Sequence, residues 1–329
     1  MANMVKEENL EPWEKIIYDI MVSGEKLTSS QVEKLFETKK SHIPKSLFKY
    51  RECSDKSFKC LLGNYLCSSN PSSFNDPFDS TFNINNLTFT DIKPNPEYKK
   101  IKFLYFFNKN GCLKKINNIH FLNFINSENF INFLQKPVED EESFIFQHES
   151  YWKYVIRYLD SNLFIQSFSE INDSILMWGH YADSHKGFCI EYEVSNLIEK
   201  EDENNGLYPI FYSDDYCDLS LCIGFYIIEN KKDNPFNFIF PSLVKYYDWK
   251  YEKEWRYVEW QDIKKGQKKN VSKLKKLNMG KIKAIYLGMN ISKENEHFLM
   301  NYAKEKDISV YKMYQSLSDI SLNYYEMFY

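Results

Sequence analysis

The sequence predicts a mixed α+β fold, on three observations. Runs with a period of two (SLFKYR, NLFIQSFSE, GFCIEYEV and EWRYVEW) mark strands, because alternate residues of a strand face one side. Runs with helical spacing, preceded by capping residues, mark helices between them. The two kinds are interleaved without a regular strand–helix–strand alternation, which argues against a doubly wound parallel sheet. A length of 329 residues suits one elaborated core carrying an insertion.

Taken in order, residues 1–40 hold two short helices, over 11–22 and 28–38, the second opened by Thr28 or Ser29 as cap. SLFKYR is a strand ending at Arg51. A helix near 55–62 and the short strand NYLCS follow. FNDPFD is a break, because Asp76 precedes Pro77 and is steered away from helical backbone. Residues 83–159 change character: their Asn- and Phe-rich runs predict an inserted helical lobe whose last helix is 147–160. NLFIQSFSE restores the period of two. Asn172, Asp173 or Ser174 then caps a helix through ILMWGHYAD, and the turn SHKG leads into GFCIEYEV. LYPIFYSD (207–214) reads as one strand, with helices near 217–229 and 236–249. EWRYVEW and KAIYLGM flank a lysine-rich excursion, and a helix over 292–305 with the strand SVYKMY closes the fold. The core is therefore 41–82 together with 160–329, split by the insertion.

Composition narrows the function classes. An apolar share of 43% with 27% charge is globular. The net charge of −4 argues against a uniformly basic nucleic-acid binder. Seven cysteines with no C-x-x-C pair read as reduced thiols rather than a disulfide frame. The opening MANMVKEENLEPWEK has no apolar signal core, and no apolar run reaches the ~18 residues a membrane span needs. The expectation is a soluble cytoplasmic protein with no membrane partner.

MWGHYADSHKGFCIEYE (177–193) is the stretch densest in reactive side chains. His180, His185 and Cys189 have the wrong spacing for a zinc site, so no metal is expected. Met177, Trp178 and Tyr181 share a helix face, which suits core packing or a cleft wall. QSFSE puts Ser167 and Ser169 on one side of a strand. In YEKEWR, Glu252 and Glu254 are two apart; if this piece is extended, both carboxylates lie on one side, repel and raise one pKa. Such a pair suits acid/base work or stabilisation of a cationic transition state, and a charged edge strand is the plain alternative. Lys264–Lys283 contains nine lysines and no acid, a local patch for a polyanion or simply a solvated loop. Gly-rich phosphate motifs and a G-x-S-x-G elbow are absent.

LFKYR, FNDPFD, SFSE, MWGHYADSHKGFCIEYE and YDWKYEKEWR occur in an order that resembles the bacterial family known as domain of unknown function 2971, over roughly 44–315 without the lobe. That resemblance implies a cytoplasmic bacterial protein, in some relatives connected with antiviral (phage) defence, and no established activity. A second resemblance is to ADP-ribosyltransferases of the Arg–Ser–Glu type, carried by Arg51, by Ser167 and Ser169, and by Glu252 and Glu254 in that order. It implies an ADP-ribosyltransferase-like split-sheet core and an effector or toxin that uses NAD as substrate. On that likeness Glu254 stabilises an oxocarbenium-like state, Ser167 orients it, and Glu252 activates an acceptor. Arg51 meets a phosphate, and Ser169, Trp178, His180, Tyr181 and Tyr251 complete the NAD pocket. The acceptor is a protein or nucleic acid, reached through Lys264–Lys283. His180 and His185 lie outside the Arg–Ser–Glu pattern. The other class of function is a non-catalytic sensor or binding module, in which the aromatic block recognises a ligand.

Overall fold

The computed structural model describes residues 5–23, 27–76, 78–80, 82–83, 163–199, 201–202, 205–215, 217–218, 234, 236, 239–260 and 274–329. The insertion expected over 83–159 lies, apart from Asn83, outside these residues, as do residues 264–273 of the Lys264–Lys283 run. The architecture is α+β, built on a ten-stranded sheet that is antiparallel except where one pair of neighbours runs parallel.

Two N-terminal helices, α1 (Pro12–Met21) and α2 (Ser29–His42), open the chain. Thr28 caps α2 through a reciprocal box with Gln31, which satisfies donors that a helix start otherwise leaves orphaned. Strand β1 (Ser46–Arg51), α3 (Asp55–Leu62) and β2 (Tyr65–Ser69) follow, and then the two-residue β3 (Phe82–Asn83). After the undescribed segment come β4 (Leu163–Ser169), α4 (Ile175–Tyr181), β5 (Phe188–Glu193) and the single turn α5 (Ser195–Ile198). Ser174 is the residue that caps α4.

LYPIFYSD departs from expectation: it is two strands, β6 (Asn205–Pro209) and β7 (Phe211–Ser213), in different sheets. Pro209 has no N–H to continue a ladder, and Ile210 turns its own N–H to the Glu254 carbonyl. β8 (Cys217–Asp218) pairs with β3. The helix expected over 236–249 is also replaced. Phe240–Leu243 is a 3-10 turn carrying Pro241, β9 (Val244–Tyr246) pairs with β7, and Tyr247–Glu252 is a second 3-10 turn. Pro241 removes a helical donor and constrains the residue before it, so an α-helix cannot run through this segment undisturbed. β10 (Glu254–Trp260), β11 (Leu274–Asn278), β12 (Ile282–Leu287), α6 (Lys293–Lys306), β13 (Ser309–Gln315) and β14 (Leu322–Met327) complete the chain.

The sheet runs β11-β2-β4-β1-β5-β12-β13-β14, with β10 and β6 branching from β4. β4 is the pivot. One edge pairs with β10 along seven residues, from Leu163–Trp260 to Ser169–Glu254. Its other edge is shared: β1 meets it only at Phe48–Ser169 and β2 only at Ile165–Ser69. Between those two pairs the sheet forks. Leu47, Phe168, Phe188, Ile190, Tyr192, Trp255 and Tyr257 pack on one face of this sheet with Leu299 and Ala303 of α6. Trp13 of α1 stacks on Trp255 at 6.0 Å, docking the N-terminal helices onto the same core. On the opposite face Tyr50, Met177, Trp178, Cys189 and Tyr286 form a second cluster under α4.

Candidate functional site

The fork opens a cavity of about 670 Å³ between β1 and β4. Its walls come from β1, the start of α3, β2, the FNDPFD loop, β4, α4 and the segment around Glu252. Where β4 lacks a neighbouring strand, its carbonyls need other donors. Lys49 supplies one, donating from Nζ to the Ser167 carbonyl at 2.6 Å.

One end of the cavity is a buried ion network. Glu252 ends the 3-10 turn, Glu254 begins β10, and between them Lys253 takes a left-handed backbone with φ of 44°. The pair therefore does not lie on one extended strand; the kink at Lys253 nonetheless brings both carboxylates to the same cation. Lys245 donates to Glu252 Oε2 at 2.6 Å and to Glu254 Oε2 at 2.8 Å. Arg256, facing the same side as Glu254, donates from Nε to Glu254 Oε1 at 2.7 Å. Its fork grips Asp79 bidentately, at 2.8 and 2.6 Å, and its Nη1 also reaches the Ser242 carbonyl at 2.6 Å.

Within this network the two glutamates are driven apart. For Glu252, desolvation dominates and raises the carboxyl pKa, with Lys245 pulling against it and Glu254 adding to it. Glu254 is desolvated too, but Arg256 and Lys245 outweigh burial and hold its carboxyl far below the ordinary range. Lys245 is desolvated, yet Glu254 and Glu252 hold its ammonium up to about 12. Of the two carboxyls, Glu252 is the one able to exchange a proton, and its Oε1 accepts from the Tyr181 hydroxyl at 2.8 Å.

The other end is cationic and poorly satisfied. Arg51 lines the cavity, and its Nη2 is buried with no hydrogen-bond partner among the described residues. Among the described residues, Lys49 has only the Ser167 carbonyl as hydrogen-bond acceptor. Desolvation lowers its pKa to about 7, and neighbouring Arg51 adds to that, while Glu254 and Glu252 act in the opposite direction.

Five of the residues singled out from the sequence as an Arg–Ser–Glu set, Arg51, Ser167, Ser169, Glu252 and Glu254, line this one cavity, with His180 and Tyr181 beside them. Ser169 has a local task, donating to the Glu252 carbonyl at 2.7 Å and accepting the Ile171 N–H. Ser167 is not what holds Glu254, since Arg256 and Lys245 take both of its oxygens. Trp178 and Tyr251 do not line the cavity. Trp178 is fully buried, edge-on to Tyr50, and donates from its indole nitrogen to the Asn172 carbonyl at 2.7 Å. Tyr251 packs beside Trp249. Asp79, Lys245 and Lys49 were not foreseen; of the missed residues only Arg256 carried a signal, its same-face spacing from Glu254. Among the described residues, no group of three or more His, Cys, Asp and Glu side chains is placed to hold a metal ion, and no helix is long and apolar enough to cross a membrane.

The turn after α4 explains the density of its sequence. Asp183, Ser184 and His185 are all left-handed, with φ of 46°, 53° and 66°, a conformation costing about 1–2 kcal/mol per residue. Lys186 and Gly187 close the turn by donating to the Asp183 and Ala182 carbonyls. A side chain at Gly187 would collide with the Arg51 carbonyl, and one at Gly288 with that of His185. His185, whose Nδ1 is buried without a partner, stacks on Trp178. The strained turn thus braces the end of β1 that carries Arg51.

Comparison with known families bears on this segment directly. Residues 177–257 match the family described as "Protein of unknown function (DUF2971)". The match is narrower than the resemblance over 44–315. No curated protein and no solved structure matches the chain. The matched segment contains α4 from Met177 onward, the strained turn, Lys245, Glu252, Glu254 and Arg256, and so the ion network apart from Asp79. Lys49, Arg51, Ser167 and Ser169 lie outside it.

Proposed function

We propose that the cavity binds NAD, and that the protein breaks the bond between ribose and nicotinamide and passes ADP-ribose to an acceptor. The observation that carries this reading is the meeting of Arg51, Ser167, Glu252 and Glu254, from separate elements, in one cavity. Cleavage of that bond builds positive charge on the ribose, and carboxylates beside the scissile bond are the groups that stabilise it, as in glycoside hydrolysis. Glu254, locked as an anion, supplies fixed negative charge, tempered by Lys245. Glu252 accepts the proton of the attacking group, since paired carboxyls with pKa values pushed apart divide into a fixed charge and a proton carrier. Arg51 offers its unpartnered guanidinium nitrogen to the diphosphate. The test is nicotinamide release from NAD, followed by chromatography with purified protein and with Glu252→Gln. The expected result is release that falls about 100-fold in the variant, the usual worth of a general base. Absence of release from the unmodified protein would sink the reading.

One observation favours a binding module instead: both oxygens of Glu254 are already held, by Arg256 and Lys245. On that reading a phosphate-bearing nucleotide occupies the cavity without turnover. Calorimetry with NAD then gives binding heat, lost in Arg51→Gln and unaffected by Glu252→Gln.

A further inference from the structure

Lys49 sits between the ion network and Arg51, in a role neither reading above uses. Among the described residues its amine has a single acceptor, the Ser167 carbonyl, although an ammonium brings three donors. A neutral amine fits this setting better: one N–H satisfies the carbonyl, and the lone pair is left for the cavity. Arg51 lies two residues further along β1, on the same side of the strand and facing the same cavity. A desolvated lysine beside another cation is the arrangement that activates lysine as a nucleophile.

We propose that Lys49 is a nucleophilic amine that condenses with a phosphorylated aldehyde, whose phosphate Arg51 meets. The spacing fits: residues two apart on a strand are about 6.6 Å apart along it, the span of a small sugar phosphate from aldehyde carbon to phosphorus. The lone pair of Lys49 Nζ adds to the aldehyde carbon, the carbonyl electron pair moves to oxygen, and that oxygen takes a proton. The resulting carbinolamine takes a second proton, loses water, and forms the C=N bond as nitrogen gives up its remaining hydrogen ions. One water leaves, and no electrons are transferred to any outside acceptor. Four charged groups set the protonation of Lys49: desolvation, with Arg51 and Lys245, disfavours its cation, while Glu254 and Glu252 favour it.

The inference is independent of glycosidic cleavage, because a chain that releases no nicotinamide can still form the imine. The test uses the whole protein and pyridoxal 5′-phosphate, trapped with borohydride and located by peptide mass spectrometry across a pH series. Labelling at Lys49 is expected to outpace exposed lysines by on the order of tenfold or more at neutral pH, because those lysines are almost wholly protonated there. Its pH midpoint is expected at about 7. Lys49→Arg, which keeps a long basic side chain but has no nucleophilic amine, removes this label. Arg51→Gln slows pyridoxal itself only through the lost repulsion that favours the neutral amine, and slows the phosphorylated reagent by on the order of tenfold more, in keeping with a charge-assisted contact. Labelling of Lys49 no faster than exposed lysines overturns the amine, and equal slowing of both reagents by Arg51→Gln overturns the phosphate contact. Should Lys49→Arg fail to fold, the site-resolved rates in the unmodified chain decide the question.

Discussion

The two ends of the cavity are built on opposite principles. At one end Asp79, Lys245, Glu252, Glu254 and Arg256 saturate one another, and each buried charge has a counter-charge within hydrogen-bond distance. At the other, Lys49 and Arg51 lie two residues apart on β1 and face the same cavity, and among the described residues neither has a carboxylate within ion-pair distance; Arg51 Nη2 is buried and unpaired there. A saturated network holds elements together, whereas an unsatisfied one is completed by something that binds. The family segment follows the same divide: it contains most of the network and neither cation. The matched segment thus holds the network apart from Asp79, and the strand that offers Lys49 and Arg51 lies outside it.

The most forceful way to break this comparison is to remove one residue from each end. Arg256→Leu leaves Asp79 and Glu254 as buried charges without their main partner, and breaking a buried pair from one side costs about 3–5 kcal/mol. Urea denaturation, read as a fall in midpoint at constant slope, measures it. Arg51→Leu is the counterpart. Among the described residues it removes no side-chain hydrogen bond, and it relieves repulsion on Lys49, so stability is expected to stay within about 0.5 kcal/mol or to rise. Ligand binding, followed by calorimetry with NAD, is expected to be lost. A large loss of stability in Arg51→Leu would erase the distinction between the two ends.

Much of this was readable in the sequence, for local reasons. β1, β4, β5 and β10 announced themselves by alternation, and that same alternation put Ser167, Ser169, Glu254 and Arg256 on one side. What failed was information held in long-range geometry. Asp79 meets Arg256 across 177 positions of chain, and nothing near Asp79 encodes that pairing. Lys245 lies in a segment that looked helical, and its role exists only because the Val244–Tyr246 strand and the following turn return it to Glu252. The pairing of Glu252 with Glu254 was legible, but not its form, because a left-handed Lys253 gives no composition signal. Trp178 shows the opposite error: an aromatic next to reactive residues suggested a ligand platform, and its indole is spent on the Asn172 carbonyl in the core.

A pH series sharpens the comparison further. Lys49 has a folded pKa near 7 against an ordinary lysine value of 10.5, so between those values the unfolded chain binds more protons than the folded one. Stability then rises with pH across that window, since its slope follows the excess of protons bound in the unfolded state. Below about 7 both states carry the charge, and the full penalty of burying it remains. Other groups titrate over the same range, the buried tyrosines among them, so the informative quantity is the difference between the protein and Lys49→Met. That difference is expected to narrow as pH rises from 7 toward 10.5, after allowance for the constant loss of the bond to the Ser167 carbonyl. Thermal melts of both proteins over the pH series measure it. At the saturated end the sign reverses: Glu254, held below its ordinary value of 4.5, gives stability that is present above that value and lost as pH falls below it. A flat difference for Lys49→Met would place the lysine with the saturated groups, as a cation already at home in its surroundings, and the cavity would then have one open cation, Arg51, instead of two.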